Sequence, residues 1–352
     1  MSFRKSERIV HVLRSQILSG ERPPGSKLPT YDELMEQFEV TRPTVARALG
    51  ALRAQGLVTV QGTRGVFVAL EFPHHRRFIW VTSEYPGHSE GTTGGQTGLT
   101  LIEQGETGLP GEVVALTGVD GRENNPAYRE LCEAIEEESA AGLLIMNSAT
   151  TYLLPALEKP NLPRAAIGAP LPHAGLVTLA FDTLIERACR SVLQGGRRVA
   201  VISPHKNILE KAEKSLRGMG LAAQNLTPLL VTPVGCESVT RLLMDRTDRP
   251  DAVFVTDDNL IEPLLRGLQA SQVRPKRDVY VLAHCNWPCP VGVEAGVDHI
   301  GFDVREVFLA GKECVEAQRA GDPSPKRVIE PRFASELFES ISGINWPAPT
   351  SP

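Results

Sequence analysis

An α/β protein in two unequal parts is expected: a small winged helix-turn-helix head joined to a larger body built on parallel sheets. Three observations predict it. Residues 28–68 hold, in order, a short helix, a tight turn, a second helix and a β-hairpin. From residue 78 onward, apolar runs alternate with amphipathic helical segments, the pattern of repeated βαβ units. Charge divides at the same place: residues 1–77 carry 12 Lys and Arg against 7 Asp and Glu, whereas the rest of the chain carries 25 against 35. A basic head on an acidic body fits a DNA reader joined to something that does not touch DNA.

The head follows element by element. Residues 5–19 form a first helix with Ile9, Val12, Leu13, Ile17 and Leu18 on one side, completing a small core. Pro23-Pro24-Gly25 makes a turn. Thr30 caps a segment with Leu34, Met35 and Phe38 at apolar spacing, which Val40 ends. Thr41 caps the next helix, and Pro43 sits in its first turn, where a missing N–H costs little. Val45, Leu49 and Leu52 recur at i, i+4 and i+7 as one buried stripe, leaving Arg42, Thr44, Arg47 and Arg53 on other faces. Gly56 closes that helix. Leu57, Val58 and Val60 form one strand and Val66-Phe67-Val68 another, around the turn Gly62-Thr63-Arg64-Gly65. In such a module the second helix of the pair enters the major groove with its N-terminal residues against base edges.

Residues 8–69 resemble the winged-helix domain of the gluconate-repressor (GntR) family. The resemblance is carried by Ile17, Ser19-Gly20, Pro24-Gly25, Leu28-Pro29-Thr30, Leu34, Phe38, Val40-Thr41-Arg42-Pro43-Thr44-Val45, Ala48-Leu49, Leu52, Gly56-Leu57-Val58 and Arg64-Gly65-Val66-Phe67-Val68. Two positions depart from it. Asp32 stands where the family usually has an Arg two residues after the Ser/Thr that opens its second helix, and Ala46 stands where an Arg follows the Thr-Val pair, with Arg47 one step on. The resemblance implies that both family arginines contact DNA, so the family's operator sequence does not carry over.

A chain of 352 residues with 41% hydrophobic content suits a two-domain globular protein. No apolar run approaches the roughly 20 residues that span a bilayer. The N-terminus, Met1-Ser2-Phe3-Arg4-Lys5, leads into a charged amphipathic segment and is no signal peptide, so a cytoplasmic protein with no membrane partner is expected. The six cysteines are scattered, which makes reduced thiols the default.

Residues 71–77 read as a linker, with Pro73 breaking any strand and His74-His75 solvated rather than a metal pair. The body occupies residues 78–340 and a tail residues 341–352. Its strands are expected at 78–81, 112–116, 142–146, 164–168, 176–179, 198–202, 229–231, 252–255 and 279–282. Its helices are expected at 127–139, 151–157, 182–193, 208–218, 238–244, 260–270 and 304–319. The glycine-rich run 91–98 lacks the endings of phosphate-binding motifs and reads as a mobile loop at a cleft edge. Some 260 residues of this kind exceed one comfortable sheet, so two lobes follow, an N-lobe at 78–194 and 291–318 and a C-lobe at 195–290 and 319–340. Ligands on such sheets bind beyond the carboxyl ends of the strands, between lobes where there are two.

This stretch also resembles a family, the effector-binding domain of the lactose-repressor (LacI) regulators, a two-lobed periplasmic-binding-protein fold. The carrying residues are Ala140-Ala141-Gly142-Leu143-Leu144-Ile145, Val177 to Asp182, Gly195-Gly196-Arg197-Arg198-Val199-Ala200-Val201-Ile202, and Arg249 to Asp258. A GntR-like head on such a body resembles the arabinose-repressor class. That implies a homodimer that binds double-stranded operator DNA and releases it when a sugar closes the lobes.

Candidate site residues follow. Arg42 and Thr44 are the first candidates for base contacts, with Arg47 next; Arg64 at the wing tip meets a phosphate or the minor groove, and Lys27, Thr30 and Thr41 suit phosphates. For the effector, Asp182 and Asp258 match positions that the resemblance implies bond sugar hydroxyls, and a carboxylate with two acceptor oxygens suits a polyol. Asp182 reads equally as a plain helix cap, and Asp257 competes with Asp258, one of them capping the helix from Leu260. The family's sugar-clamping Arg is missing from Ser203-Pro204-His205-Lys206-Asn207, where Asn207 or Lys206 substitutes. In His284-Cys285-Asn286-Trp287, Trp287 either stacks on a sugar or plugs a lobe edge. Cys285 and Cys289 with His284 lack a second ligand pair for zinc, so no metal and no cofactor are expected.

The reading is a transcriptional regulator, a repressor controlled by a sugar or sugar derivative, and not an enzyme. Two alternatives are a sensor whose pocket has decayed and only dimerises, and a winged helix fused to a pyridoxal-phosphate enzyme, for which Lys206 lacks the right surroundings.

Overall fold

The computed structural model describes residues 5–18, 20–70, 77–85, 93–137, 139–146, 155–158 and 162–340. In the head, α1 (Lys5–Leu18), α2 (Tyr31–Phe38) and α3 (Arg42–Ala54) pack around Ile9, Leu13, Leu34, Val45, Leu49 and Leu52. Thr30 and Glu33 form a reciprocal capping box on α2. Glu39 ends that helix at φ 50, the left-handed residue that turns the chain into α3. The strands β1 (Val58–Val60) and β2 (Val66–Val68) pair antiparallel with Val58 opposite Val68.

The body contains two six-stranded sheets. The first comprises β3 (Arg77–Val81), β4 (Glu112–Leu116), β5 (Gly142–Met146), β6 (Arg164–Ile167), β7 (Gly175–Leu179) and a late strand, β13 (Lys326–Ile329). Its order is β13-β7-β6-β5-β3-β4, parallel throughout. The second comprises β8 (Val199–Ser203), β9 (Leu226–Leu230), β10 (Ala252–Val255), β11 (Tyr280–Trp287), β12 (Asp298–Asp303) and β14 (Arg332–Phe333). It runs β14-β12-β11-β10-β8-β9, with only β14 antiparallel. Helices cover both faces of each sheet, as buried parallel strands require. They are α4 (Thr93–Gln104), α5 (Pro126–Glu136), α6 (Phe181–Gly195), α7 (Lys206–Gly218), α8 (Pro233–Met244), α9 (Ile261–Ala270), α10 (Val304–Arg319) and the terminal α11 (Ala334–Ser340).

The chain passes between the sheets at Ala180, at Asp303–Val304 and at residues 330–331. This corrects the expected lobe division. Residues 181–195 pack on β10, β11 and α7 and so belong to the C-lobe. The strand β12 lies in the C-lobe beside β11, and β13 lies in the N-lobe beside β7. Of the 291–318 stretch only α10 packs on the N-lobe sheet. Short strands such as Asp298–Asp303 carry polar residues at both ends and a glycine inside, which hides them from a pattern search. The third crossover is tied down by Arg187 of α6, which donates to the Pro331 carbonyl and the Glu336 carboxylate and lies over the Phe333 ring at 4.9 Å.

Two further expectations change. Residues 93–98 are the first turns of α4 rather than loop, while 91–92 lie outside the described residues. Three glycines argue against a helix on propensity, but two of them are required by close packing: a Cβ at Gly98 would fall 2.9 Å from the Trp80 ring, and one at Gly94 would fall 3.1 Å from Asn286 Oδ1. The expected helix at 151–157 appears as a 3-10 turn at Pro155–Glu158, its earlier half lying outside the described residues. The linker's His74-His75 and the tail at 341–352 also lie outside them.

Gly301 faces Cys285 across β11 and β12, and a Cβ there would lie 1.8 Å from the Cys285 carbonyl oxygen. We expect Gly301→Ala to destabilise the body by about 1–3 kcal/mol, measured as a lower urea midpoint with unchanged operator affinity in the folded fraction.

Candidate DNA-reading helix and interlobe cleft

In the head, Arg42 opens α3, is exposed, and has its guanidinium 5.2 Å from the Tyr31 ring centroid. A face-on aromatic holds the planar guanidinium in a limited set of directions. Thr41 and Thr44 share a hydroxyl contact of 3.2 Å, and Arg47 is exposed one turn further along. Arg64 is exposed in the 3-10 turn of the wing. Lys27 lies against that wing, bridging to Phe67, with its Cε 2.9 Å from where a Cβ on Gly65 would be. Thr30 is spent on its cap: its hydroxyl donates to Glu33 Oε2 at 2.9 Å and accepts from Glu33 N at 3.3 Å. Its phosphate role is withdrawn in favour of holding α2. Asp32, Glu36 and Glu39 line a groove with Lys5, Thr41 and Thr44, so one flank of α3 carries three carboxylates against one amine. Phosphates are therefore expected on the Lys27 and Arg64 side.

In the body, polar side chains gather beyond the carboxyl ends of β8, β10 and β11. The Asp257 carboxylate accepts from Asn259 N at 2.9 Å and caps the short turn Asp258–Leu260. Capping turns Asp258 inward, where it is 5% exposed. Asp258 Oδ2 accepts from Asn286 Nδ2 at 3.1 Å, while Asp258 Oδ1 and His284 Nε2 are buried with no hydrogen-bond partner among the described residues. His284 is 7% exposed, and Phe181 stands beside it, ring centroids 6.0 Å apart. Thr256 donates to Ser203 Oγ at 2.7 Å, and His205 Nε2 approaches Asp257 Oδ2 at 3.4 Å, closing one side. From the opposite lobe, Gly94 of α4 approaches Asn286. The floor is thus built by the C-lobe and roofed at one point by the N-lobe.

Of the four expected effector residues, the structure brings only Asp258 to this floor. Asp182 has its side chain 82% exposed and is held by Lys211 Nζ at 2.6 Å, because the first turn of α6 points Phe181, not Asp182, at His284. Asn207 is exposed in the first turn of α7, two residues beyond His205. Trp287 packs with Cys285 and Leu337, and its indole N–H donates to the Arg332 carbonyl at 3.2 Å. It plugs the lobe edge. The residues missed were His284, Asn286 and Phe181. Strand alternation could have found the first two: β11 runs through Trp287, so His284 and Asn286 share one face while Cys285 and Trp287 share the other.

Burial holds His284 below the ordinary imidazole range, against the pull of Asp258 and Asp257. Burial likewise lowers His299, against the Val291 carbonyl that its Nε2 meets at 2.7 Å. The unfolded chain takes up protons at these two positions near pH 6.5, whereas the folded protein resists them. Their contribution is therefore complete above about pH 6.5 and lost as pH falls below it. We expect the melting temperature to drop between pH 7.5 and pH 5.5, and the drop to shrink in a His284→Gln, His299→Gln double variant. An equal drop in that variant would assign the effect elsewhere. All six cysteines are free, burial raises Cys189 to about 11, and no cluster of metal-ligating side chains occurs among the described residues.

Residues 5–68 match the family described as bacterial regulatory proteins, gntR family. The head is a gntR-type helix-turn-helix domain. Over 69 residues it is 39% identical to the galactonate operon transcriptional repressor of Escherichia coli K12, and over 60 residues 43% identical to the arabinose metabolism transcriptional repressor of Geobacillus stearothermophilus. Those alignments cover 20% and 17% of this chain, and the chain spans only 30% and 16% of the two repressors' lengths. The rest of the chain is matched by fold. A LacI transcriptional regulator from a Rhodococcus species superposes with a TM-score of 0.56 at 16% identity, covering 73% of this chain and 96% of that one. A LacI-family regulator from Enterococcus faecium, solved with bound ribose, gives 0.53 at 16% identity with the same coverage. The body therefore has the LacI-type, periplasmic-binding-protein-like fold. No helix among the described residues is long and apolar enough to cross a membrane.

Proposed function

We propose that this protein is a transcriptional repressor whose operator binding is controlled by a small molecule in the interlobe cleft. The reading rests on one observation: a gntR-type head with Arg42, Thr44 and Arg47 presented on its reading helix is carried by a body whose cleft floor holds two buried polar atoms, Asp258 Oδ1 and His284 Nε2, without a partner among the described residues. Unpaired buried polar atoms cost stability, and a ligand that pairs them recovers it. That argues against a decayed sensor.

Arg42, Thr44 and Arg47 read bases; Lys27, Thr41 and Arg64 hold phosphates. The protein acts as a homodimer, since such heads read paired half-sites about one helical turn apart. Exposed Val234 and Leu242, two turns apart on α8, with Leu230 nearby in sequence on β9, supply apolar surface on the C-lobe for self-association. The bound ribose of the Enterococcus regulator supports a sugar-like occupant in a cleft of this fold.

The test is a gel shift with DNA from the gene's own upstream region at modest salt, repeated with small molecules. Salt-sensitive, sequence-specific binding that a ligand weakens is expected. Absence of DNA binding under every condition would overturn the reading.

A further inference from the structure

We infer that the effector is a cation: a small amine-bearing, hydrogen-bond-donating molecule whose ammonium group lies between Asp258 and Phe181. This rests on the cleft being the effector site.

The floor itself calls for a donor with positive charge. Asp258 is 5% exposed, one oxygen takes the Asn286 amide, and the other meets no donor among the described residues. A carboxylate oxygen can only accept, so whatever completes it must donate. A buried carboxylate without a counter-charge is costly, and a cationic partner offsets far more of that cost than a hydroxyl does. His284 does not supply the charge, because its burial keeps the imidazole neutral. Asp257 adds a second carboxylate one residue away, facing His205 at 3.4 Å.

The surrounding charge is acidic as well. The described segments that follow the strands toward the cleft, residues 82–85, 117–125, 168–174, 204–205, 231–232, 256–260 and 288–297, contain Glu84, Asp120, Glu123, Asp257, Asp258 and Glu294. Their only Lys or Arg is Arg122, which faces Asp120 at 3.8 Å. Lys206 at the start of α7 is held by Glu210 at 3.6 Å, and Arg305 at the start of α10 by Asp303 at 3.1 Å. Among the described residues of this floor a phosphorylated sugar or a sugar acid meets no Lys or Arg without an acidic neighbour, and a neutral sugar brings Asp258 no counter-charge.

An aromatic face completes the site. Phe181 is 38% exposed, beside His284 and edge-on to Phe302 at 5.0 Å. An exposed ring beside His284, which itself lies in the field of Asp258 and Asp257, suits an ammonium group and the carbons that bear it.

The experiment is a thermal-shift and calorimetric titration of the full-length protein with D-glucosamine, putrescine, D-glucose and D-gluconate, each to 10 mM (about the ceiling for a weak specific site). At least one amine should bind tenfold or more tightly than glucose, with gluconate silent. Asp258→Asn should level amine and glucose, and Phe181→Leu, at an exposed position, should weaken the amine severalfold with the fold intact. Glucose or gluconate binding as well as the amines, or no amine binding at all, overturns the inference. Operator binding measured in the same samples separates the two readings. Release by a neutral sugar keeps the repressor and removes the cationic effector, whereas no DNA binding removes the repressor whatever the amines do.

Discussion

Arg42→Ala is expected to weaken operator binding at least tenfold while leaving the protein folded. The residue opens α3, where an entering helix places its first side chains against base edges. An arginine that pairs bidentately with guanine contributes about 1–3 kcal/mol of discrimination, roughly five- to 150-fold for each head, so with two heads on one operator a loss of at least tenfold is expected. Tyr31 adds to this, because its ring at 5.2 Å limits the orientations that the guanidinium must give up on binding. Folding is spared because the side chain is exposed and the α3 core residues Val45, Leu49 and Leu52 are untouched. Arg42→Lys should fall between the two, keeping the charge but not the fork. Lys27→Ala makes the contrast: weaker binding to every sequence and a salt slope reduced by about one. Anisotropy titrations against operator and scrambled DNA at several salt concentrations distinguish the two. Unchanged operator affinity in Arg42→Ala would mean that a different face of the head meets DNA.

The head was legible in the sequence because its signals are local. A cap, a turn and an apolar stripe each depend on residues within one or two helical turns, and Thr30, Pro43, Gly56 and the Gly62–Gly65 turn all do what their types predict. The body was legible as an alternation of strands and helices but not as a division into lobes. Lobe membership depends on which sheet a late strand joins, and β12, β13 and β14 carry too few apolar residues to announce themselves. The cleft floor was half legible. Asp258 could be placed after its strand, but whether Asp257 or Asp258 turned inward depended on a single capping bond to Asn259. Asp182 was misplaced for a related reason: a helix advances about 100° per residue, so a one-residue difference at the start of α6 exchanges Phe181 for Asp182. Trp287 misled because β11 continues five residues beyond its apolar run, which puts the tryptophan on the face opposite His284 and Asn286.

The largest effect on stability is expected at Trp80, and it bears on the cleft as well. Trp80 is fully buried in β3, its ring 4.6 Å from that of Phe308 of α10 and tilted to it by 39°, and it is pressed against Gly98 of α4. It thus joins the N-lobe sheet to the helix that emerges from the second crossover and to the helix that brings Gly94 to Asn286. Truncating a buried tryptophan to alanine costs about 3–5 kcal/mol, which for a domain of this size lowers the melting temperature by roughly 6–20 °C. Trp80→Phe separates packing from polarity. The indole Nε1 is buried without a partner among the described residues, so phenylalanine gives up some ring area but also removes an unsatisfied donor, itself worth about 1–3 kcal/mol. The two effects oppose each other, and Trp80→Phe should lie within about 1 kcal/mol of the parent. A Phe variant as unstable as the Ala variant would mean that the indole N–H has an essential partner. The Ala variant that remains folded should also respond less to effector at matched occupancy, because α4 loses its seat and Gly94 no longer meets Asn286 in a fixed place. Scanning calorimetry gives the stability, and operator release against ligand concentration gives the coupling. Lost stability with unchanged coupling would show that α4 takes its position from the C-lobe floor and not from Trp80.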